Sequence, residues 1–356
     1  MQSSHSPSIY EVASSAGVSV ATVSRVLNAT GPVSEDARRR VLEAVESLGY
    51  VPHSGARSLS TRRTMNVGVL LPDVHGAFFS EIVRGIDLAA RAAGYHVLVS
   101  GSHSDLAETS AVLQALHGRI DGLILLTAGI GADWLRRTLP RRVPTVLLYN
   151  FGGDEEHDSI QIDNHLGARM AMDHLLGLGH RRIALIRGPS GNADAAERLR
   201  GYREALAARG LAADPQLVLP GDFSEESGFR AGEALAALAQ PPTAVFAAND
   251  AMAIGCLAAL RGRGLRVPDG VSLVGFDDIP IARYLTPALT TVQVPIAEIG
   301  GRALERLVSV LQSGREAAKR QEVVTPTLAV RASTAAPAAE GVVRSNPSRN
   351  RGRIEP

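Results

Sequence analysis

From Asn66 onward, near-continuous apolar runs of strand length alternate with stretches of helical length, and this alternation restricts the body of the chain to one class of fold. The runs NVGVLL, YHVLVS, DGLILLT and PTVLLYN are separated by helical stretches at 77–93, 105–117 and 131–139. A second series from about Ile160 sets helices at 164–178, 195–209, 225–239 and 250–261 among RIALIR, TAVFAA and VSLVGF. Strands that are apolar throughout belong to parallel sheets covered by helices on both faces. Two such series of similar size predict two doubly wound α/β lobes, and 356 residues suffice to bury cores of that size.

A different pattern precedes this body. Ser8 followed three residues later by Glu11 is a capping box, which starts a helix at Ile9 with its first amides satisfied. Ile9, Val12, Ala13 and Ala16 fall on one face. Gly17 suits the left-handed residue that ends such a helix, and Ser19 caps a second one from Val20. In that second helix Val23, Val26 and Leu27 point inward, while Val20, Ala21, Ser24, Arg25 and Asn28 point outward. A third helix follows Ser34, with Glu35 and Asp36 in the first turn where the helix dipole favours them. Its expected buried stripe is Ala37, Val41, Ala44, Val45 and Leu48, and Gly49 ends it. Two short helices around a glycine turn, the second showing an arginine, describe a helix-turn-helix whose second helix can enter the DNA major groove. An ordinary helical hairpin is the plainer alternative for these twenty residues taken alone.

Composition narrows the remaining choices. With a net charge of +1 there is no global basic field, so any DNA contact must come from a local cluster. The single Cys256 rules out a disulfide framework within the chain and reads as a small buried hydrophobe, which fits a reducing compartment. No apolar run resembles an export signal or approaches the length of a membrane span, so a cytoplasmic, nucleoid-associated location and no membrane partner are expected. His96, His103, His117, His157, His165, His174 and His180 are scattered without metal-ligand spacing, and most are expected to face solvent. The glycine patterns AGIGAD and RGRG do not fit the dinucleotide fingerprint, and no G-x-S-x-G elbow occurs. No enzyme, metal or cofactor is expected.

EVASSAGVSVATVSRVLN, then GPVSEDARRRVLEAVESLGYVPHSGARSL, closely resembles the start of the lactose-repressor/galactose-repressor family. Together with the α/β body the resemblance runs from about Ile9 to Ala332. It implies a three-helix helix-turn-helix head on a two-lobed, periplasmic-binding-protein-like (type I) α/β domain, with chain crossovers near 161–164, 289–294 and 320–326. The linker Val51 to Thr64 carries Arg57, Arg62 and Arg63 without an acid. By itself it reads as a tether. By resemblance it folds on operator DNA into a hinge helix, with Leu59 wedged into a central minor-groove step that it kinks. His53 stands where the family commonly has Asn, and Gly55 where a helix former is usual; Gly costs about 1 kcal/mol relative to Ala in a helix. The tail beyond Ser333 is rich in Ala, Pro, Ser and Arg and is expected to be disordered. It lacks leucine heptads, which predicts a homodimer. The expected boundaries are 1–50 for the head, 51–64 for the linker, 65–332 for the two-lobed domain and 333–356 for the tail.

Ligands of open α/β sheets sit outside the carboxyl ends of the strands. Those positions hold Phe78 and Phe79, expected in a strand-to-helix loop, then Asn150, Asn192, Asp194, Arg198, Phe223, Asn249 with Asp250, and Asp277 with Asp278. By resemblance Arg198, Asn249 and Asp277 match the family's effector contacts, and Phe79 and Phe223 match aromatic walls. The segment HGA at 75–77 departs from the Asn-Pro pair often found there. For each residue singly, a capping or structural role is the alternative, and Asp250, as the cap of the helix after it, and Asp278 are expected to be structural. Carboxylate, amide and guanidinium groups beside an aromatic face suit a polyhydroxylated ring, whose hydroxyls both donate and accept. A sugar or sugar derivative is therefore the expected effector, with a purine or another small metabolite as the alternative.

The combined reading is a sequence-specific DNA-binding transcriptional regulator, a repressor, whose hold on a near-palindromic double-stranded operator is controlled allosterically by a small molecule. Arg25 is expected to read a base edge, with Val20 and Ala21 selecting which bases fit. Thr22, Ser24 and Tyr10 are expected on phosphates, and Ser19, Asn28 and Ala56 complete the DNA-facing set with Leu59. Two rival classes share parts of this pattern. An extracytoplasmic sugar-binding protein would need an export signal and no head, and a Rossmann-type enzyme would need a cofactor fingerprint.

Overall fold

The structure, a computed structural model, describes residues 7–28, 30–50, 63–103, 105–126, 130–140, 142–149, 156–313 and 319–338. The chain divides into two compact units, Met1–Asn66 with Leu116–Asp121, and Val67–Ala115 with Gly122–Pro356.

In the first unit, helix α1 spans Ile9–Ala16, α2 Val20–Asn28 and α3 Glu35–Leu48. The capping box forms: the Ser8 amide donates to Glu11 Oε2 at 2.7 Å and the Glu11 amide to Ser8 Oγ at 3.4 Å. Gly17 ends α1 at φ 62°, its amide reaching the Ala13 and Ser14 carbonyls, while Arg40 Nη1 donates to the Ala16 carbonyl at 2.9 Å. Ser19 Oγ accepts from the Thr22 amide at 3.2 Å, which starts α2. Val12, Ala13, Ala16, Val23, Val26, Val41, Ala44 and Tyr50 form one core. Two expectations fail here. Val20, assigned to the outward face, packs against this core, because the first turn of α2 enters along it. Leu48, assigned inward, is 37% exposed, since the buried stripe of α3 ends at Ala44 with Val45 beside it.

A knot closes the other end of this unit. Asp121 Oδ1 accepts from the Thr64 amide at 2.7 Å and from its hydroxyl at 2.8 Å, and Oδ2 accepts from the Met65 amide at 2.9 Å. The Asp121 amide in turn donates to the Asn66 carbonyl at 2.8 Å. Met65 sits at φ 56°, a left-handed conformation that costs a non-glycine residue roughly 1 kcal/mol or more. The Asp121 carboxylate offsets that cost by holding the amides of Met65 and of Thr64 before it.

The second unit holds two six-stranded sheets. Strands β1 (Asn66–Leu71), β2 (His96–Gly101), β3 (Gly122–Leu126), β4 (Thr145–Leu148), β5 (Asp158–Ile162) and β11 (Gln321–Val324) form one, ordered β11-β5-β4-β3-β1-β2. Strands β6 (Ile183–Ile186), β7 (Val218–Leu219), β8 (Ala244–Ala247), β9 (Ser272–Asp277), β10 (Thr290–Gln293) and β12 (Thr327–Ala329) form the other, ordered β12-β10-β9-β8-β6-β7. Pairing is parallel except for β12, which runs antiparallel to β10, at every register described. Most of the apolar runs become strands buried along their whole length, as in β3, β4, β6, β8 and β9, whereas YHVLVS becomes the edge strand β2, none of whose residues is buried. Around them lie α4 (Ala77–Ala92), α5 (Leu106–Leu116), α6 (Ala132–Thr138), α7 (Asn164–Gly177), α8 (Ala193–Ala207), α9 (Glu225–Ala236), α10 (Asp250–Gly262) and α11 (Ile296–Ser313).

The chain passes from one sheet to the other between β5 and α7, between β10 and α11, and between β11 and β12. Helix α11 has no counterpart in the sequence reading. It packs on α4 so closely that a Cβ added at Gly85 would stand 1.8 Å from the Ala297 carbonyl oxygen.

The segment expected to be disordered from Ser333 is instead anchored at its start. Ser333 is 1% exposed, donates to the Leu273 carbonyl at 2.6 Å and accepts from the Thr290 amide at 2.8 Å. The Ala335 amide reaches Ser272 Oγ at 3.0 Å. His180, one of a set of histidines most of which were expected to face solvent, is buried beneath it, with Nδ1 2.9 Å from Thr243 Oγ1 and Nε2 2.9 Å from the Ala335 carbonyl. Each polar group finds a partner far along the sequence, which permits its burial.

Candidate functional sites

The outward side of α2 is small and open at its start. Ser19 and Ala21 are exposed, Thr22, Ser24 and Asn28 are half-buried, and Arg25 is exposed in the second turn. Ser19 and Thr22 hydroxyls lie 2.9 Å apart, and Asn28 Nδ2 donates to Ser24 Oγ at 3.2 Å. Tyr10, in the first turn of α1, is 73% exposed. An exposed guanidinium one turn behind small side chains has the reach and donor pattern to read a guanine edge. Ala56 and Leu59 lie outside the described residues.

The second constellation lies at the carboxyl ends of β6, β8 and β9, with residues of α7 and α8. Arg198 is 5% exposed and stands at its centre. Its Nε donates to Asn164 Oδ1 at 2.7 Å, its Nη1 to the Ala248 carbonyl, and its Nη2 lies 3.7 Å from Asp277 Oδ1. The guanidinium carbon sits 3.7 Å from the Phe276 ring centroid and 5.7 Å from that of Phe223, so the cation lies within cation–π range of both rings. Asn164 Nδ2 donates to Asp194 Oδ1 at 2.7 Å, which ties the second carboxylate to the same set.

Burial dominates the electrostatics. It pushes the Asp277 carboxyl up to about 7 and that of Asp194 up to about 6; nearby Arg198 opposes this in both, and Asp194 adds to the rise at Asp277. Asp277 Oδ1 accepts no hydrogen bond among the described residues. The backbone there is unusual as well, with Asp277 at φ 115° and Asp278 at φ 55°. Asp250 lies beneath this turn and accepts from the Ile279 amide at 2.9 Å and the Thr291 hydroxyl at 2.6 Å. It is structural, yet not the cap expected of it: Asn249 caps α10 through Oδ1 to the Met252 amide at 2.9 Å. Asp278 also works structurally, accepting from Gln293 and Arg331 at 2.7 and 2.6 Å.

The other expected contacts divide. Asn249 Nδ2 donates to the Phe223 carbonyl at 3.0 Å, so both ends of that amide are engaged by the protein. Asn192 caps α8 through the Ala195 amide at 2.9 Å. Phe223 lies over Gly188, where a Cβ would stand 2.4 Å from its ring, so only glycine admits the ring there. Phe78 and Phe79 belong to the first turn of α4, not to a loop, with ring centroids 5.5 Å apart in an edge-on contact. Phe78 also lies 5.5 Å from the Tyr149 ring. Asn150 lies outside the described residues. Three participants escaped the sequence reading: Asn164, Phe276 and Tyr149. Tyr149 is buried, and its phenol is pushed well above its ordinary range by burial and then by Asp194 and Asp277. It thereby brings a first-sheet residue into the field of the second-sheet carboxylates.

Among the described residues, no group of His, Cys, Asp and Glu could hold a metal ion, and no helix is long and apolar enough to cross a membrane.

A helix-turn-helix head and a two-lobed domain of the periplasmic-binding-protein kind define the class of protein. The model described as "Bacterial regulatory proteins, lacI family" matches residues 8–53, and the model of a periplasmic binding protein-like domain matches residues 172–334. The chain is 37% identical over 330 residues to the HTH-type transcriptional repressor CytR of Escherichia coli K12, covering 92% of this chain and 96% of that one. It is 36% identical to the E. coli K12 transcriptional regulator GalR, covering 93% and 97%. Among solved structures, a lac repressor dimer bound to operator and the anti-inducer ONPF superposes with a TM-score of 0.84 at 30% identity, covering 93% of this chain and all of that one. A CelR–cellobiose complex gives 0.69 at 34% identity, covering 92% and 99%. The chain belongs to the lacI family of bacterial regulatory proteins. It is therefore a sequence-specific DNA-binding regulator under the control of a small effector, and not an enzyme.

Proposed function

We propose that this chain is a homodimeric repressor whose grip on a near-palindromic operator is set by a sugar or sugar derivative bound at the Asp194–Arg198–Asp277 cluster. The observation that carries the effector side is Asp277 Oδ1, a buried acceptor that no described protein donor fills. A ring hydroxyl supplies the missing donor, and the Phe223 face offers apolar cover to the ring. The relatives lend support: one solved neighbour holds cellobiose, and a regulator from Enterococcus faecium holds ribose. On the DNA side, Arg25 reads a base edge, Ala21 and the exposed edge of Val20 set the fit, and Tyr10, Ser19, Thr22, Ser24 and Asn28 position the head on the backbone. Ala56 and Leu59 extend the contact into the minor groove. The dimer assignment draws on the lac repressor dimer on its operator.

The proposed division is residues 1–50 for the head, 51–64 for the hinge and 65–332 for the effector domain, onto which residues 333–335 are anchored. The effector acts by differential affinity for two arrangements of the lobes, so its binding and operator binding are linked and reciprocal. Gel-shift titration against fragments of the protein's own upstream DNA, with and without ribose and cellobiose, tests this. A defined fragment bound in preference to random DNA, with its affinity moved by a sugar, is the expected result. Equal binding to every duplex under all conditions refutes it.

A further inference from the structure

We propose that Asp278 is the positioning residue through which an occupied cleft acts on the lobes, because its carboxylate fastens the turn that carries Asp277 to two of the chain crossovers between the sheets. This rests on the effector reading above and names the device that would regulate it.

The two carboxylates of the turn have separate partners. Asp277 Oδ1 lies 3.7 Å from Arg198 Nη2. The Asp278 side chain is 2% exposed and accepts from Arg331 Nη2 at 2.6 Å and from Gln293 Nε2 at 2.7 Å. Gln293 is the last residue of β10, where the chain leaves for α11. Its Oε1 accepts at 3.3 Å from the hydroxyl of Thr327, the first residue of β12, where the chain returns from β11. Arg331 also donates from Nη1 to the Leu289 carbonyl at 2.7 Å, just before β10. The main chain adds one more link, since the Val294 amide donates to the Asp277 carbonyl at 3.3 Å. Both crossovers are thus bonded, directly or through Gln293, to the dipeptide that carries the effector contact.

Two features let the turn pass a displacement on. Asp277 and Asp278 hold φ at 115° and 55°, a conformation that residues other than glycine keep only where their surroundings impose it. A donor arriving at Asp277 Oδ1 pulls on one end of this turn. The other end is gripped by short bonds to a carboxylate nearly excluded from water, so a shift at the first end is carried to the second. The crossovers also have room to move. A cavity of about 780 Å³ borders them, its lining including Glu81 and Arg84 of α4 with Asp278, Gln293, Thr325 and Thr327. A stiff link beside open space converts a local contact into movement of one lobe against the other.

Gel shifts of the full-length chain on its own upstream DNA, with and without ribose and cellobiose, test this alongside titration calorimetry with the same sugars. In the wild-type chain a sugar that binds should change operator Kd by about five- to 150-fold. Asp278→Asn leaves one oxygen for two donors. Gln293 is exposed, so Gln293→Ala cuts the same link without opening the core and serves where Asp278→Asn fails to fold. The factor should drop to less than about a third of its wild-type value in Asp278→Asn and to less than about half in Gln293→Ala. The sugar's own Kd should stay within about threefold of wild type in both, which a loss of general stability would not produce. An unchanged factor in either folded variant overturns the inference and leaves the effector site standing. Loss of sugar binding together with the factor also overturns it, by placing Asp278 among the cleft contacts. If neither sugar moves operator binding of the wild-type chain, the effector reading itself falls and takes this inference with it.

Discussion

Arg198 Nη2 stands 3.7 Å from Asp277 Oδ1, an ion pair held just beyond hydrogen-bond range at the end of β9. The arginine lowers the cost of ionising Asp277 without cancelling it, so burial still lifts the carboxyl from 3.8 to about 7. A raised acid holds its proton in the folded chain after the unfolded chain has released it. Its contribution to stability is therefore intact near pH 4 and is lost as pH rises toward about 7. At roughly 1.4 kcal/mol per pKa unit the loss is on the order of 4 kcal/mol. Denaturant midpoints between about pH 5 and pH 8 should fall more steeply in the wild-type chain than in Asp277→Asn. Parallel curves would show that Asp277 ionises freely.

Arg25 is exposed and forms no part of the head core. Arg25→Ala should leave thermal stability within about 0.5 kcal/mol of wild type. It should cost about 1–3 kcal/mol of operator affinity and relax the preference at one base position per half-site. Gel shifts on operators varied one base at a time provide the measurement; a loss spread evenly over all positions would assign Arg25 to phosphate instead.

Gly85 lies where α4 meets α11, and a Cβ there would stand 1.8 Å from the Ala297 carbonyl oxygen. Backbone cannot give way as a side chain can. Gly85→Ala should destabilise the chain by at least about 3 kcal/mol, in the range of severe overpacking. Gly94→Ala provides the contrast. Space is open there, and φ is +76°, so its cost is conformational, about 1–2 kcal/mol. Urea midpoints of the two variants should rank in that order.

Asp121 accepts three hydrogen bonds from Thr64 and Met65. Asp121→Ala removes all three and leaves the left-handed Met65 held only through its neighbour Asn66, whose amide reaches Thr64 Oγ1 at 3.2 Å. Amide exchange at Thr64 and Met65 should accelerate by about ten- to a hundredfold, as expected for the loss of about 1.5–3 kcal/mol of charge-assisted bonding. Unchanged protection would place the restraint elsewhere.

Local signals carried most of the fold and less of the site. The helix-turn-helix was legible because its caps are local: Ser8 with Glu11, Gly17 and Ser19 each act within one turn. The body was legible because a strand buried on both faces must be apolar at every position. Helix α11 was not among the expected helices; its Gly300 is there because a Cβ would stand 2.4 Å from the Ile82 carbonyl oxygen, a contact that only the fold brings about. Arg198 and Asp277 were found by their position at strand ends, yet Asn164, which links Arg198 to Asp194, was not. An asparagine at a helix start reads as a cap, and only the fold brings Arg198, 34 residues on, into its reach. His180 and Ser333 escaped for the same reason, since their partners lie 63 and 43 residues away in the chain.

The order of the strands bears on how the protein is made. The first sheet receives its edge strand β11 from Gln321–Val324, and its covering helix α11 from Ile296–Ser313. Both leave the ribosome after all but one strand of the second sheet. The lobe begun first is thus completed nearly last, and until then the Gly85 face of α4 has no helix to meet. A nascent chain halted before residue 296 would display that uncovered face, the natural point for a chaperone to engage it.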